Sequence, residues 1–395
     1  MAARIVAGAY TSDIATDPLG LEARTETRMQ IEQSFRDLTG PEGEERTHWA
    51  GRIEQTLSER DFSAARAYLL AAPLMLDRQT SQALQAAAEA EESGTKDQRL
   101  ARASLLFLPD PVRASYERAI APPKTAADIE SSAPTEPEAP EETPASELAG
   151  PEPETAPAIA REPFAPNRPM KLVGTPEDLV YQSRLWIMDE QIDPTQLRLR
   201  ALALIKAEDA GDEADAYTEP ASVLIAAQRS GRLQEKFAQH IASRLAAAMP
   251  EETLKTRLQE AFEPVLTTRE RSTRVLETYR TIIDEEAIER VYSDLRTVAR
   301  LIEINGSSGA ISLIELAETP DDMKRALLLS ESGGVRSVAL ARELGPDVLG
   351  LAQIGVKWTR GLVLQVMALV ALGMALFWTA LSAFTLNDTI KPLKR

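Results

Sequence analysis

The residues Thr175-Pro176-Glu177-Asp178 have the pattern of a helix N-terminus, and this pattern indicates the fold class of the chain. The threonine hydroxyl can accept a hydrogen bond from the helix backbone, proline suits the first helical position, and an acid follows the cap by three residues. The same pattern recurs at Asp193-Pro194-Thr195-Gln196 and at Thr319-Pro320-Asp321-Asp322. Three such starts in one segment predict an all-α fold.

The composition of the chain supports this prediction. Aromatic residues make up 5% of the 395 residues, and Ala, Leu, Glu and Arg dominate, which favours helix over sheet. A hydrophobic content of 44% suffices for two modest cores. The absence of cysteine excludes disulfides, thiolate metal ligands and cysteine nucleophiles.

Apolar periodicity predicts a helical bundle in residues 1–121. The repeating positions are Ile31, Phe35 and Leu38, followed by Trp49, Ile53 and Leu57. A further helix is expected to start at Asp61 and to stop at Pro73, and another to cover residues 100–108. The helix pair joined at Asp61 is typical of a tetratricopeptide-like hairpin. Since the pattern does not recur at a period of about 34 residues, a generic helical hairpin is the alternative.

Residues 171–355 are predicted to form a second helical domain. Its longest helical region is expected over residues 251–304, closed by Asn305-Gly306 and followed by short helices separated at Gly333-Gly334 and Gly345-Pro346. One apolar seam in this region alternates steps of three and four, at Ile288, Val291, Leu295, Val298 and Ile302. The seam suits either a short coiled coil or packing within the domain core.

Residues 122–170 between these domains are predicted to be a disordered acidic linker. From Pro122 to Pro169 about a quarter of the residues are proline and about a fifth are acidic. Such a segment cannot bury enough apolar surface to offset the entropy of ordering it. Its expected role is a spacer, and docking of a partner protein is the alternative.

An uncharged apolar stretch near the end of the chain, residues 361–384, predicts a transmembrane helix. About 24 residues at about 1.5 Å each reach about 36 Å, enough to cross a hydrocarbon core of about 30 Å. The residues assigned to this anchor include Gly361, Leu362, Leu372, Phe377, Trp378 and Phe384. A buried core helix is the alternative, but such helices are usually shorter. Residues 385–395 would form a short tail.

Small residues recur every fourth position within the predicted anchor. They are Ala371, Ala375, Thr379 and Ala383. Because such residues let two helices approach closely, this stripe predicts self-association within the membrane, and hence a homo-oligomer.

The expected location is the cell membrane, crossed once. No signal-peptide core is visible at the N-terminus, where Arg4 and Asp13 interrupt the apolar residues, so the soluble part is expected in the cytoplasm. The charges that flank the span barely discriminate between the two membrane orientations, because Lys357 and Arg360 before the span are matched by a similar number of basic residues after it. If an upstream signal has been lost, the chain would instead be an exported envelope protein.

No motif in the sequence specifies a reaction, a metal or a cofactor. The two histidines, His48 and His240, lie on opposite sides of the linker, which leaves a histidine-based site unsupported. Ser93-Gly94-Thr95-Lys96 lacks the partner motifs of penicillin-binding enzymes, and Gly306-Ser307-Ser308-Gly309 lacks the strand that a nucleophile elbow requires. No phosphate-binding glycine loop is present.

The net charge of −17, without any basic cluster, argues against nucleic-acid binding. The sequence therefore predicts a membrane-tethered, non-catalytic adaptor or scaffold that contacts the bilayer through residues 361–384 and binds partner proteins. The alternatives are an exported envelope protein and a membrane-bound hydrolase that uses unrecognised carboxylates.

Overall fold

The computed structural model describes residues 18–120, 170–211 and 214–352, together with residues 367–378 except 369 and 373. Within this described part every regular element is helical, which confirms the all-α prediction. The helices before the linker are α1 (Pro18–Asp37), α2 (Glu45–Ser58), α3 (Phe62–Met75), α4 (Arg78–Ala90), α5 (Lys96–Leu106) and α6 (Asp110–Ile120). Those after it are α7 (Pro176–Ile187), α8 (Pro194–Ala210), α9 (Asp215–Arg229), α10 (Glu235–Ala248), α11 (Glu251–Phe262), α12 (Thr268–Ile282), α13 (Glu285–Ile314), α14 (Pro320–Gly333) and α15 (Arg336–Leu344), followed by a 3₁₀ helix (Gly345–Leu351).

All three predicted helix starts are confirmed. The Thr175 hydroxyl accepts from the Asp178 amide at 3.3 Å, and the Asp178 carboxylate accepts from the Thr175 amide at 2.8 Å. Thr319 makes the same reciprocal pair at the start of α14, and the Asp193 carboxylate caps α8. Because these bonds satisfy backbone amides that a helix start leaves free, they fix where each helix begins.

The predicted long helical region of residues 251–304 is three helices, α11, α12 and the first part of α13. All five seam residues of α13 are at most 5% exposed, and α13 packs against α9, α10 and α14, so the seam belongs to the domain core. Gly306 breaks α13 at the predicted position, since its φ of 75° lies in the left-handed region that favours glycine.

The expectation that Pro73 ends its helix is wrong. Helix α3 continues through Pro73 to Met75. Proline lacks the N–H that would bond to the Leu69 carbonyl one turn earlier, and such a loss usually breaks a helix. Here the buried Ser104 hydroxyl of α5 faces that carbonyl at 2.9 Å and also faces the Leu100 carbonyl of its own helix at 2.8 Å, so its one proton is shared between the two acceptors.

The helices before and after the linker share one core. Residues Leu21–Gln353 form a single compact unit, in which α3 packs against both α13 and α15. The buried side chains of α3 are Ala64, Ala65, Ala67, Tyr68, Leu69, Leu70, Ala71, Ala72 and Met75. The described parts of residues 1–121 and 171–355 are therefore joined by apolar packing, whereas the predicted linker lies outside the described residues apart from residue 170.

Arginines of α1 join it to the end of α14. Arg24 donates to the Glu331 carbonyl at 3.2 Å, and Arg28 donates to the Ser332 carbonyl at 3.4 Å. These carbonyls belong to the last turn of α14, whose acceptors have no partner within the helix and whose dipole attracts positive charge. Ile31 packs so closely on Gly333 that a Cβ there would lie 2.9 Å from the isoleucine methyl group.

Ion pairs add to this contact between the two parts. Arg52 of α2 lies 3.3 Å from Glu343 of α15, and Arg342 lies 3.2 Å from Asp61 at the start of α3. The Tyr68 hydroxyl also donates to Glu343.

Candidate functional site

The first candidate is the predicted membrane anchor, of which residues 367, 368, 370–372 and 374–378 are described, all of them helical. Seven large apolar side chains among them are 53–67% exposed. They are Met367, Val370, Leu372, Met374, Leu376, Phe377 and Trp378. In water a helix with apolar side chains exposed all round it would be unfavourable. Elsewhere in the described residues, exposed large apolar side chains are scattered singly along the chain: Leu21, Met29, Leu106, Tyr181, Met188 and Val265.

Some of the predicted site residues lie in the part of the chain that the structure describes. Leu372, Phe377 and Trp378 of the anchor and Ala371 and Ala375 of the pairing stripe are helical and exposed. The others lie outside the described residues: Gly361, Leu362, Thr379, Ala383 and Phe384. Where the structure describes the chain, no helix combines the length and the apolar character that a bilayer crossing needs. A span over residues 361–384 stays a prediction.

A second candidate is a charged cluster between α10 and α13, around His240. Its Nε2 atom lies 3.5 Å from Oδ2 of Asp294, too long for a good hydrogen bond, and Arg244 holds the same oxygen at 2.9 Å. The ring of Phe237 stacks on the imidazole with 6.0 Å between centroids. This pair could not be predicted from the sequence, because His240 and Asp294 are distant along the chain.

Burial sets the protonation of this cluster. It lowers the pKa of His240 below its usual value, and this effect outweighs the attraction of Asp294. Burial also raises the pKa of the Asp294 carboxyl, although Arg244 and His240 act in the opposite direction. The neutral imidazole is thus the form that the fold favours, and the cluster is a charge-paired packing contact.

Substituting His240 by glutamine should reduce the pH dependence of stability. Between pH 8 and 6 the unfolded chain protonates a histidine near about pH 6.5, whereas folded His240 resists protonation, so acidification lowers the free energy of unfolding. The raised pKa of Asp294 acts at lower pH and in the opposite direction. Melting temperatures at pH 8 and 6 should therefore differ less for His240→Gln than for the wild type. An equal difference in melting temperature between pH 8 and pH 6 for His240→Gln and the wild type would contradict the assignment.

The two serine motifs occupy structural positions. Thr95 caps α5 in a reciprocal pair with Gln98, and Lys96 is the first residue of that helix. Ser307, just after the break in α13, donates to the Glu219 carboxylate at 2.7 Å, and the Ser308 hydroxyl lies 3.4 Å from that of Ser63. Over the described part of the chain, no cluster of three or more His, Asp or Glu residues could hold a metal ion.

The third candidate is a groove along the antiparallel helices α11 and α12, with a volume of about 640 Å³. Sequence periodicity gave no signal for it, since the residues that line it are mostly polar surface residues. They are Ala247, Pro250, Thr253, Arg257, Glu260, Ala261, Arg274, Thr278, Thr281, Ile282 and Asp284. A volume of this size is within the range of ligand-binding sites.

In comparisons with known proteins, the chain matches no family model, no curated protein and no solved structure.

Proposed function

We propose that this chain is a membrane-tethered, non-catalytic adaptor or scaffold, with residues 361–384 crossing the cell membrane once. The observation that carries the proposal is the exposure of seven large apolar side chains on the helical residues within 367–378. Moving each such side chain out of water contributes about 1.5–3 kcal/mol, and a bilayer offers that environment. Trp358, Arg360 and Lys391 flank the stretch as interfacial residues commonly do.

The adaptor role is supported by the helical unit that would be tethered. Its helices share one core, and α11 and α12 leave a polar groove open to a partner. The soluble unit would lie on the cytoplasmic side, and a cytoplasm-specific reporter fused to the N-terminus should be active. Reporter activity only outside the cytoplasm would favour the exported alternative.

Affinity purification from detergent tests the adaptor role. The full chain should enrich the same partner proteins in replicate purifications, and residues 353–395 alone, which keep the anchor, should lose them. Equal partner sets for the two baits would refute an adaptor role for the helical unit.

Substituting Ala375 by isoleucine should weaken pairing of the anchor while preserving its insertion. The larger side chain would fill the close-approach surface formed with Ala371, Thr379 and Ala383, yet it keeps the segment apolar. Crosslinking in membranes should give a smaller dimer fraction for Ala375→Ile than for the wild type. Val370→Ile, an apolar enlargement outside the stripe, is the control, and the same dimer fraction in all three would show that the stripe is incidental.

A further inference from the structure

The groove between α11 and α12 has the dimensions of a peptide-binding site. On α11 its lining runs from Pro250 to Ala261, which corresponds to about 16 Å along the helix axis. An extended peptide covers about 3.3 Å per residue, so about five residues fit along it.

The charges along the groove are uneven. Arg274 of α12 is exposed, and its guanidinium has no bonding partner among the residues that the structure describes. Arg257 also lines the groove and is paired with Glu260, one turn away, at 3.2 Å with both side chains exposed. Such exposed pairs on one helix are weak, so a ligand carboxylate can compete for both arginines.

The groove also presents hydrogen-bond acceptors. Thr278 and Thr281 donate their hydroxyl protons to carbonyls of their own helix, at 2.8 and 3.0 Å, which leaves the oxygen lone pairs for an incoming donor. Asp284 uses one carboxylate oxygen to accept from the Ala287 amide at the start of α13. A ligand that suits the groove therefore carries N–H donors as well as an anionic group.

We infer that the groove binds an extended, acidic peptide segment of a partner protein. The peptide backbone supplies donors for the threonine oxygens, and an Asp or Glu side chain supplies the carboxylate for Arg257 and Arg274. A sulfate or chloride ion lacks such donors, and a helical partner satisfies its own N–H groups and prefers apolar grooves. This inference rests on the proposed adaptor function, because it names the class of partner that the unit would bind.

Selection from a phage-displayed library of random heptapeptides on the full chain in detergent tests the inference. Enriched peptides should share an acidic position, and a synthetic peptide of that consensus should bind Arg274→Ala at least about tenfold more weakly than the wild type. Arg269→Ala changes an exposed arginine of the same helix outside the groove and should leave affinity within about twofold. No enrichment, a consensus without acidic residues, or equal losses in both variants would overturn the inference.

The cysteine-free chain permits a second, independent measurement. Alkylating Thr278→Cys with a bulky maleimide should block the consensus peptide, whereas alkylating Thr273→Cys, on the exposed side of the same helix, should not. If partner proteins still purify with Arg274→Ala as with the wild type, the groove inference fails while the adaptor proposal stands. If peptides bind the groove but no partner protein is captured, the adaptor proposal fails instead.

Discussion

Cleavage of the chain between Pro122 and Pro169 is expected to leave two fragments that stay associated. This segment has the composition of a protease-sensitive linker, but α3 on one side of it packs against α13 and α15 on the other. Nine of the fourteen residues of α3 are buried, and separation would expose those that face α13 and α15, together with the side of α15 that packs on α3. The apolar area involved makes separation unfavourable.

Size-exclusion chromatography in detergent after cleavage measures this association. Both fragments should elute together, and the exchange protection of α3 amides should survive the cut. Ala339→Asp would place an unpaired charge at a fully buried position of α15, so the cleaved variant should separate. Separate elution of the wild-type fragments would show that the two parts fold as independent modules.

Replacing Trp49 by alanine is expected to lower the free energy of unfolding by about 3–5 kcal/mol. Trp49 of α2 is fully buried, and its indole N–H donates to the Tyr68 carbonyl of α3 at 2.8 Å. The substitution leaves a large cavity. It also removes the N–H donor to the Tyr68 carbonyl, which lies about one turn before Pro73 in α3.

Urea unfolding of the full chain in detergent, followed by circular dichroism, measures the change. Trp49→Phe keeps most of the packing but loses the donor, so it should cost about 1–3 kcal/mol. If both variants unfold at the wild-type urea concentration, Trp49 does not contribute to the core as the structure indicates.

The helix starts could be predicted from sequence because each depends on neighbouring residues alone. Thr175 and Asp178 contact each other within one turn, so the pattern carries the whole explanation. The continuation of α3 through Pro73 could not be predicted, since the hydroxyl that faces the Leu69 carbonyl belongs to Ser104 of another helix. Helix α4 gives no apolar periodicity because Leu84 is its only buried residue, and α6 contains Pro111 in its first turn, where proline does not stop a helix.

Among the candidate sites too, some depend on local sequence and others on packing between helices. The apolar stretch of residues 361–384 is recognisable from its length and lack of charge, which are local properties. The contact of His240 with Asp294 depends on how α10 packs against α13. Arg257 and Arg274 face a common groove only because α11 and α12 form an antiparallel pair, and exposed arginines at helical positions carry no periodic signal of their own.

Membrane extraction of the full chain and of a chain ending at Ala352 tests whether residues 361–384 anchor the protein in the membrane. After a high-salt and alkaline wash, the full chain should remain in the membrane pellet and dissolve only in detergent. The chain ending at Ala352 should appear in the soluble fraction, with the helical circular dichroism of a folded protein. Release of the full chain by the alkaline wash, or retention of the shortened chain in the pellet, would contradict anchoring by residues 361–384.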